Sequence, residues 1–158
     1  MAKMAGNYLG GMLVKMEALA DGYGEAIALG PDGMLSEGSG QNVFVVRKGI
    51  LHTPPINGTL LHGITRDSVL GLAEDAGIPV RVEPLPREVL YLAEEIFFCG
   101  TAAEITPIRS VDRIEIGSGK PGPITQRIQR EYMGIAKGTI PDRHGWLTMV
   151  PEAVGSAR

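Results

Sequence analysis

Apolar and polar positions along this chain change period often, and the changes mark out short elements. A helical period runs from Asn7, read as the N-cap, to about residue 20, with Leu9, Met12, Leu13 and Met16 on one face. Gly22-Tyr23-Gly24 breaks it. Residues 25–29 and 34–36 then read as strands around a Pro31-Asp32-Gly33 turn. The apolar, β-branched run at 42–47 predicts a buried strand that turns through Lys48-Gly49 into 50–52, a hairpin. A loop from His52 to His62 leads to a second helix, 65–76, with Val69, Leu70, Leu72 and Ala73 inward and Gly77 ending it. Residues 79–82 read as a strand, 87–93 as a short helix, and 95–99 as an apolar strand stopping at Gly100-Thr101. Strands are also predicted at 104–111 and 113–116. Pro123 opens a last helix with Ile124, Ile128, Tyr132 and Ile135 on one stripe. Beyond Lys137 the chain reads as a tail anchored by Trp146, with 151–158 disordered. The sum is a mixed α/β domain over residues 1–150.

Composition sharpens this picture in a few places. A length of 158 residues with 44% hydrophobic residues allows one domain with a proper core. The 22 glycines and 11 prolines favour many turns between short strands over a helical bundle. A formal net charge of -3 gives no electrostatic reason to expect nucleic acid or an anionic membrane as a partner. One cysteine, Cys99, excludes an internal disulfide, and no apolar run approaches a membrane span. The first residues lack a signal-peptide core, so the expected location is the cytoplasm.

Three segments carry candidate chemistry. Ser36-Glu37-Gly38-Ser39-Gly40-Gln41-Asn42-Val43-Phe44 crowds one acid among small residues, which either let a backbone pass close to a ligand or form a surface turn. Leu61-His62-Gly63-Ile64-Thr65-Arg66-Asp67 is a loop opening into a helix; its free N–H groups suit a phosphate or carboxylate, while Thr65 alone would also serve as an N-cap. Gly100-Thr101-Ala102-Ala103-Glu104-Ile105-Thr106-Pro107 follows a buried strand and reads as an anion site or as a tight corner. Lys3 on general grounds is a solvated charge. His52, His62 and His144 show no metal-ligand spacing, no serine sits in a G-x-S-x-G elbow, and no nucleotide-binding glycine motif is present.

Taken together and in order, the strings Lys3-Met4-Ala5-Gly6-Asn7-Tyr8, Glu37 to Phe44, Gly63-Ile64-Thr65-Arg66-Asp67, Gly100 to Pro107, Gly122-Pro123 and Gly145-Trp146-Leu147 resemble the fold-type IV pyridoxal-phosphate enzymes. Within them the chain resembles the branched-chain amino-acid aminotransferases, from Lys3 to about Val150. The resemblance implies their large domain, mixed strands in a pseudo-barrel with surrounding helices, and pyridoxal 5'-phosphate as cofactor. Lys3 would bond to the cofactor and move the proton between Cα and C4′. Glu37 would face the pyridine nitrogen and Tyr8 the phenolic oxygen, with Leu61 on the ring face. Gly63, Ile64 and Thr65 would hold the phosphate with help from Thr101, while Thr101 and Ala102 would meet the substrate carboxylate.

The implied reaction is a ping-pong transamination of leucine, isoleucine or valine with 2-oxoglutarate, in a homo-oligomer. A D-amino-acid aminotransferase, an aminodeoxychorismate lyase of the same fold, and a non-catalytic assembly module are the alternatives. The family has a smaller N-terminal domain ahead of the lysine, which here is the third residue. That domain is therefore expected to be missing, truncated or a separate polypeptide, and the chain alone is expected to bind the cofactor weakly with little turnover.

Overall fold

The computed structural model describes residues 8–150. Helix α1 (Tyr8–Ala20) leads into strands β1 (Ile27–Leu29), β2 (Leu35–Gly38), β3 (Asn42–Arg47) and β4 (Ile50–Thr53). Helix α2 (Ile64–Asp75), strand β5 (Val80–Val82) and a 3-10 helix (Arg87–Leu92) follow. Strands β6 (Glu95–Gly100), β7 (Glu104–Pro107), β8 (Ser110–Val111) and β9 (Ile114–Glu115) precede helix α3 (Pro123–Ala136). Five strands form one mixed sheet in the order β5-β4-β3-β6-β7, and β1-β2 and β8-β9 are separate two-stranded ribbons. Strands β4 and β5 run parallel with α2 as their crossover, and the other neighbours in the large sheet are antiparallel.

Both faces of the central strands are covered, which is why β3 and β6 read as unbroken apolar runs instead of alternating. On one face Phe44, Val46, Phe97 and Cys99 pack with Leu72 of α2 and Ile128 of α3. On the other, Val43, Val45, Ile96 and Phe98 pack with Leu35, Leu85 and Leu90. Phe44 and Phe97, directly paired across β3 and β6, stack with ring centroids 5.2 Å apart. Each such buried side chain contributes about 1.5–3 kcal/mol of transfer free energy, so these two clusters fix the sheet.

The predicted elements recur with instructive shifts. Strand β2 extends to Gly38, because Gly38 N–H closes a tight turn onto Gln41 O at 2.7 Å; Glu37 therefore stands in a strand and not between strands. Glu25 is not part of β1: its carboxylate accepts the Ala26 N–H at 2.9 Å and pairs with Lys15 at 2.9 Å. The predicted strand at 104–111 is two strands, since Pro107 has no N–H for the ladder and the chain turns away after Ile108. Asp112 and Arg113, with φ of 50° and 66°, make the turn between β8 and β9. Helix α2 begins one residue earlier than predicted, with Gly63 as its N-cap and Thr65 already inside the helix.

Helix α3 starts at Pro123 as predicted, and its stripe faces the core, with Ile128 and Ile135 buried. Its first N–H groups are met by a buried carboxylate from another element: Glu95 accepts from Ile124 at 3.1 Å and Thr125 at 2.7 Å. The segment after Lys137 folds back over the helices and does not hang free. Ile140 sits against Gly134, and Arg143 and His144 both reach Asp75 of α2, at 3.1 and 2.9 Å. Trp146 stacks on His144 with centroids 4.2 Å apart, over Gly71. Helix α1 is the opposite case: Leu9, Met12, Leu13, Met16 and Leu19 are exposed and only Ala18 is buried. Among the described residues no helix is long and apolar enough to cross a membrane. Lys3, the Asn7 cap and the 151–158 tail lie outside the described residues.

Candidate functional site

A cleft of about 590 Å³ gathers most of the residues singled out from sequence. Its walls are the start of α1, the Ser36 to Gly38 part of β2, the loop ending at Gly63, the first residues of α2 and the end of β6. Tyr8, Glu37, Leu61, Gly63, Ile64, Thr65 and Thr101 all line it. Ala102, the next residue after Thr101, is exposed and lies outside that lining. The crowding of small residues predicted near Glu37 has a direct cause here. A Cβ on Gly11 of α1 would stand 2.1 Å from the Ser39 carbonyl, so helix and turn meet backbone to backbone.

Glu37 is half-buried in β2, and its Oε2 accepts the Leu61 N–H at 2.9 Å. Burial pushes its carboxyl above the usual carboxylate range, and the Leu61 N–H offsets part of that rise. A carboxylate in this condition is stabilised by a cation or a further N–H donor brought into the cleft.

Two neighbours, which sequence reasoning left without roles, hold the same loop. Ser36 Oγ donates to Thr59 O at 2.7 Å, and Asn42 Nδ2 donates to Leu61 O at 2.8 Å. Leu61 is thereby gripped at both its N–H and its carbonyl. Asn42 Oδ1 closes on Gly63 so tightly that a Cβ there would lie 2.2 Å from it. Both residues sit inside the Ser36 to Phe44 string; a polar residue in an apolar strand was the available signal.

The loop so fixed delivers the start of α2. Its first intrahelical bond is Asp67 N–H to Gly63 O at 3.1 Å, which leaves the N–H groups of Ile64, Thr65 and Arg66 ahead of it. Among the described residues no side chain caps them, and Thr65, inside the helix, is not the N-cap considered for it. Thr65 is buried against the cleft while Ile64 points its side chain to solvent. An uncapped helix start facing a cleft favours an anion. Thr101, also in the lining, follows β6 in a turn held by Thr106 Oγ donating to Ala103 O at 2.6 Å.

Cys99, His52 and His144 do not add to this chemistry. Cys99 lines the cleft, but burial pushes its thiol up to about 12, so it stays protonated and unreactive at neutral pH. His52 is bonded to Glu83 at 2.8 Å and His144 to Asp75, each for structural reasons. Among the described residues no group of three His, Cys, Asp or Glu side chains could hold a metal ion.

The mixed α/β fold that carries this cleft is that of the fold-type IV aminotransferases. The crystal structure of the Escherichia coli branched-chain amino acid aminotransferase superposes with a TM-score of 0.91 at 52% identity, covering 94% of this chain and 49% of that one. The family model for class IV amino-transferases matches residues 2–111, and the chain belongs to that family.

The curated branched-chain-amino-acid aminotransferase of Escherichia coli K12 is 52% identical over 94% of this chain and 48% of its own length. The branched-chain amino acid aminotransferase from Thermobaculum terrenum, solved in its PLP-form, gives a TM-score of 0.84 at 46% identity, over 86% of this chain and 45% of that one. The chain thus spans about half the length of the relatives it matches.

Proposed function

We propose that this chain is the cofactor-holding half of a branched-chain amino-acid aminotransferase and binds pyridoxal 5'-phosphate in the cleft of Glu37 and α2. The observation that carries the reading is Glu37: a half-buried carboxyl, raised by burial, with one oxygen spent on Leu61 N–H and a cleft in front of it. The residues present fit a phosphorylated pyridine ring. A ring N–H supplies the positive partner that Glu37 lacks, and a phosphate supplies the anion for which the Ile64 and Thr65 N–H groups are open. Gly63 keeps the approach clear where any Cβ would strike Asn42.

When bound, pyridoxal phosphate supplies an electron sink for the bond being broken at the substrate Cα. Glu37 keeps the ring nitrogen protonated and so keeps that sink effective. Leu61, held through both its N–H and its carbonyl, packs against the ring. Tyr8, which lines the cleft from the first turn of α1, would donate to the phenolic oxygen. Lys3, which lies outside the described residues, would be the amine that holds the cofactor and moves the proton at Cα, a role taken from the resemblance to the family. Thr101 and Ala102 face the substrate carboxylate in this reading, from the turn after β6.

The substrates, leucine, isoleucine or valine with 2-oxoglutarate, are proposed from the relatives' names and belong to the whole protein. Association with a second copy is part of the same proposal, supported by the exposed apolar face of α1. The test is to add pyridoxal phosphate to the purified chain, reduce with borohydride and map the labelled peptide. Label on Lys3 is expected. Label scattered over surface lysines such as Lys48, with none on Lys3, overturns the reading.

A further inference from the structure

Arg66 is the third residue of α2, and only 3% of it is exposed. Its guanidinium donates from Nη2 to Pro54 O at 3.1 Å. Its Nε is buried and has no hydrogen-bond partner among the described residues. None of the ion pairs among those residues includes Arg66. Its nearest charge by sequence, Asp67, is exposed, and its other titratable neighbour is the Cys99 thiol, which burial keeps neutral at pH 7. Arginine does not give up its proton in response to burial. Among the described residues this permanent positive charge has only the exposed Asp67 carboxylate in its field and no ion-pair partner in contact, a costly arrangement unless something answers the charge.

The place of that charge suggests what answers it. Thr65, the residue before Arg66, lines the cleft, and so does Cys99, whose thiol lies within the field of the guanidinium. The N-cap Gly63 is packed close to Arg66 Cβ, 3.7 Å from where its own Cβ would be. The buried cation thus stands behind the wall that carries the open N–H groups of α2.

On the pyridoxal-phosphate reading above, we propose that Arg66 is a positioning residue: it supplies fixed positive charge from behind the start of α2 and orients the phosphate there without touching it. A phosphate at this helix start places negative charge near a cation that water screens little, so the two stabilise one another more than a surface pair does.

The test measures binding of pyridoxine 5'-phosphate and of pyridoxine by calorimetry. Neither has an aldehyde, so neither bonds to surface lysines. The proteins are the 158-residue chain and its Arg66→Gln and Arg66→Lys variants. The wild type is expected to prefer the phosphorylated ligand. Arg66→Gln should cut that preference about tenfold or more, given a charge pair in a poorly screened site, while leaving pyridoxine affinity unchanged. Arg66→Lys should keep most of the preference, since it keeps the charge although it loses the planar fork that reaches Pro54.

Loss of affinity for both ligands alike, in both variants, would mark Arg66 as scaffold only and overturn the inference. A wild-type preference undiminished in Arg66→Gln overturns the inference and leaves the phosphate site standing. A wild type with no preference overturns both together. If Arg66→Gln does not fold, the Arg66 Nε–H resonance of the wild type decides. Inorganic phosphate should shift it; a resonance that stays fixed while the Ile64 and Thr65 amides move overturns the inference.

Discussion

Helices α2 and α3 both follow an extended glycine N-cap, Gly63 and Gly122, and neither has a side-chain cap of its own. Both glycines are fixed by a polar side chain that a Cβ would strike, Asn42 at 2.2 Å and Glu95 at 2.1 Å. At α3 that side chain is a carboxylate whose two oxygens take the N–H groups of Ile124 and Thr125. At α2 it is an amide that reaches past the helix to hold Leu61, and the nearby carboxylate, Glu37, also spends its bond on Leu61. One helix start is completed from within the protein. The other is left open, with the surrounding polar groups used to keep it open and in place. A helix start with its own internal acid is architecture; one whose acid stands aside in a cleft is a place for a ligand.

The largest effect should come from the closed end. Glu95→Ala removes two charge-assisted bonds and strands buried N–H groups, at a cost of about 3 kcal/mol or more in urea unfolding. A cost within error of zero would mean that α3 does not depend on this contact.

Next in size is Gly63→Ala. Gly63 has φ -76°, so alanine meets no backbone strain, and the whole effect is the collision with Asn42. It should lower stability by about 1–3 kcal/mol and weaken pyridoxine phosphate binding; pairing it with Asn42→Ala should relieve part of both losses. If the double variant is no better than the single, the clash is not the cause.

Glu37→Gln separates the two ends most cleanly, since the amide oxygen still accepts the Leu61 N–H. The fold should persist while the ring nitrogen loses its anionic partner. The pH dependence has a definite sign. A carboxyl raised on folding favours the native state while protonated, so the wild type loses stability relative to Glu37→Gln as pH rises above 4.5. Urea titrations of both proteins from pH 4 to 8 give this difference directly; curves that run parallel contradict it.

The smallest effect belongs to Cys99. With its thiol pushed up to about 12, alkylation at pH 8 should be negligible in the folded chain and complete in urea.

Apolar patterning was sufficient for α2 and α3, whose apolar positions repeat along the face they bury, and for β3 and β6, which are unbroken apolar runs because both their faces are covered. It missed the end of β2 and the break between β7 and β8, because a Gly38 turn and the missing N–H of Pro107 act through the pairing of strands. The cleft was legible as three strings, and the structure brings them to one place. What local sequence could not reveal is how they are joined. Ser36, Asn42 and Glu37 act on residues 19 to 24 positions away, and Glu95 caps a helix 29 positions on. The exposed stripe of α1 shows the converse: a helical period predicts the helix and says nothing of which surface covers it.

The contrast between the two helix starts can be measured in one titration. Inorganic phosphate added to the 15N-labelled chain should shift the amide resonances of Ile64 and Thr65 and leave those of Ile124 and Thr125 in place. Equal shifts at both helices, or none at Ile64 and Thr65, would contradict the account.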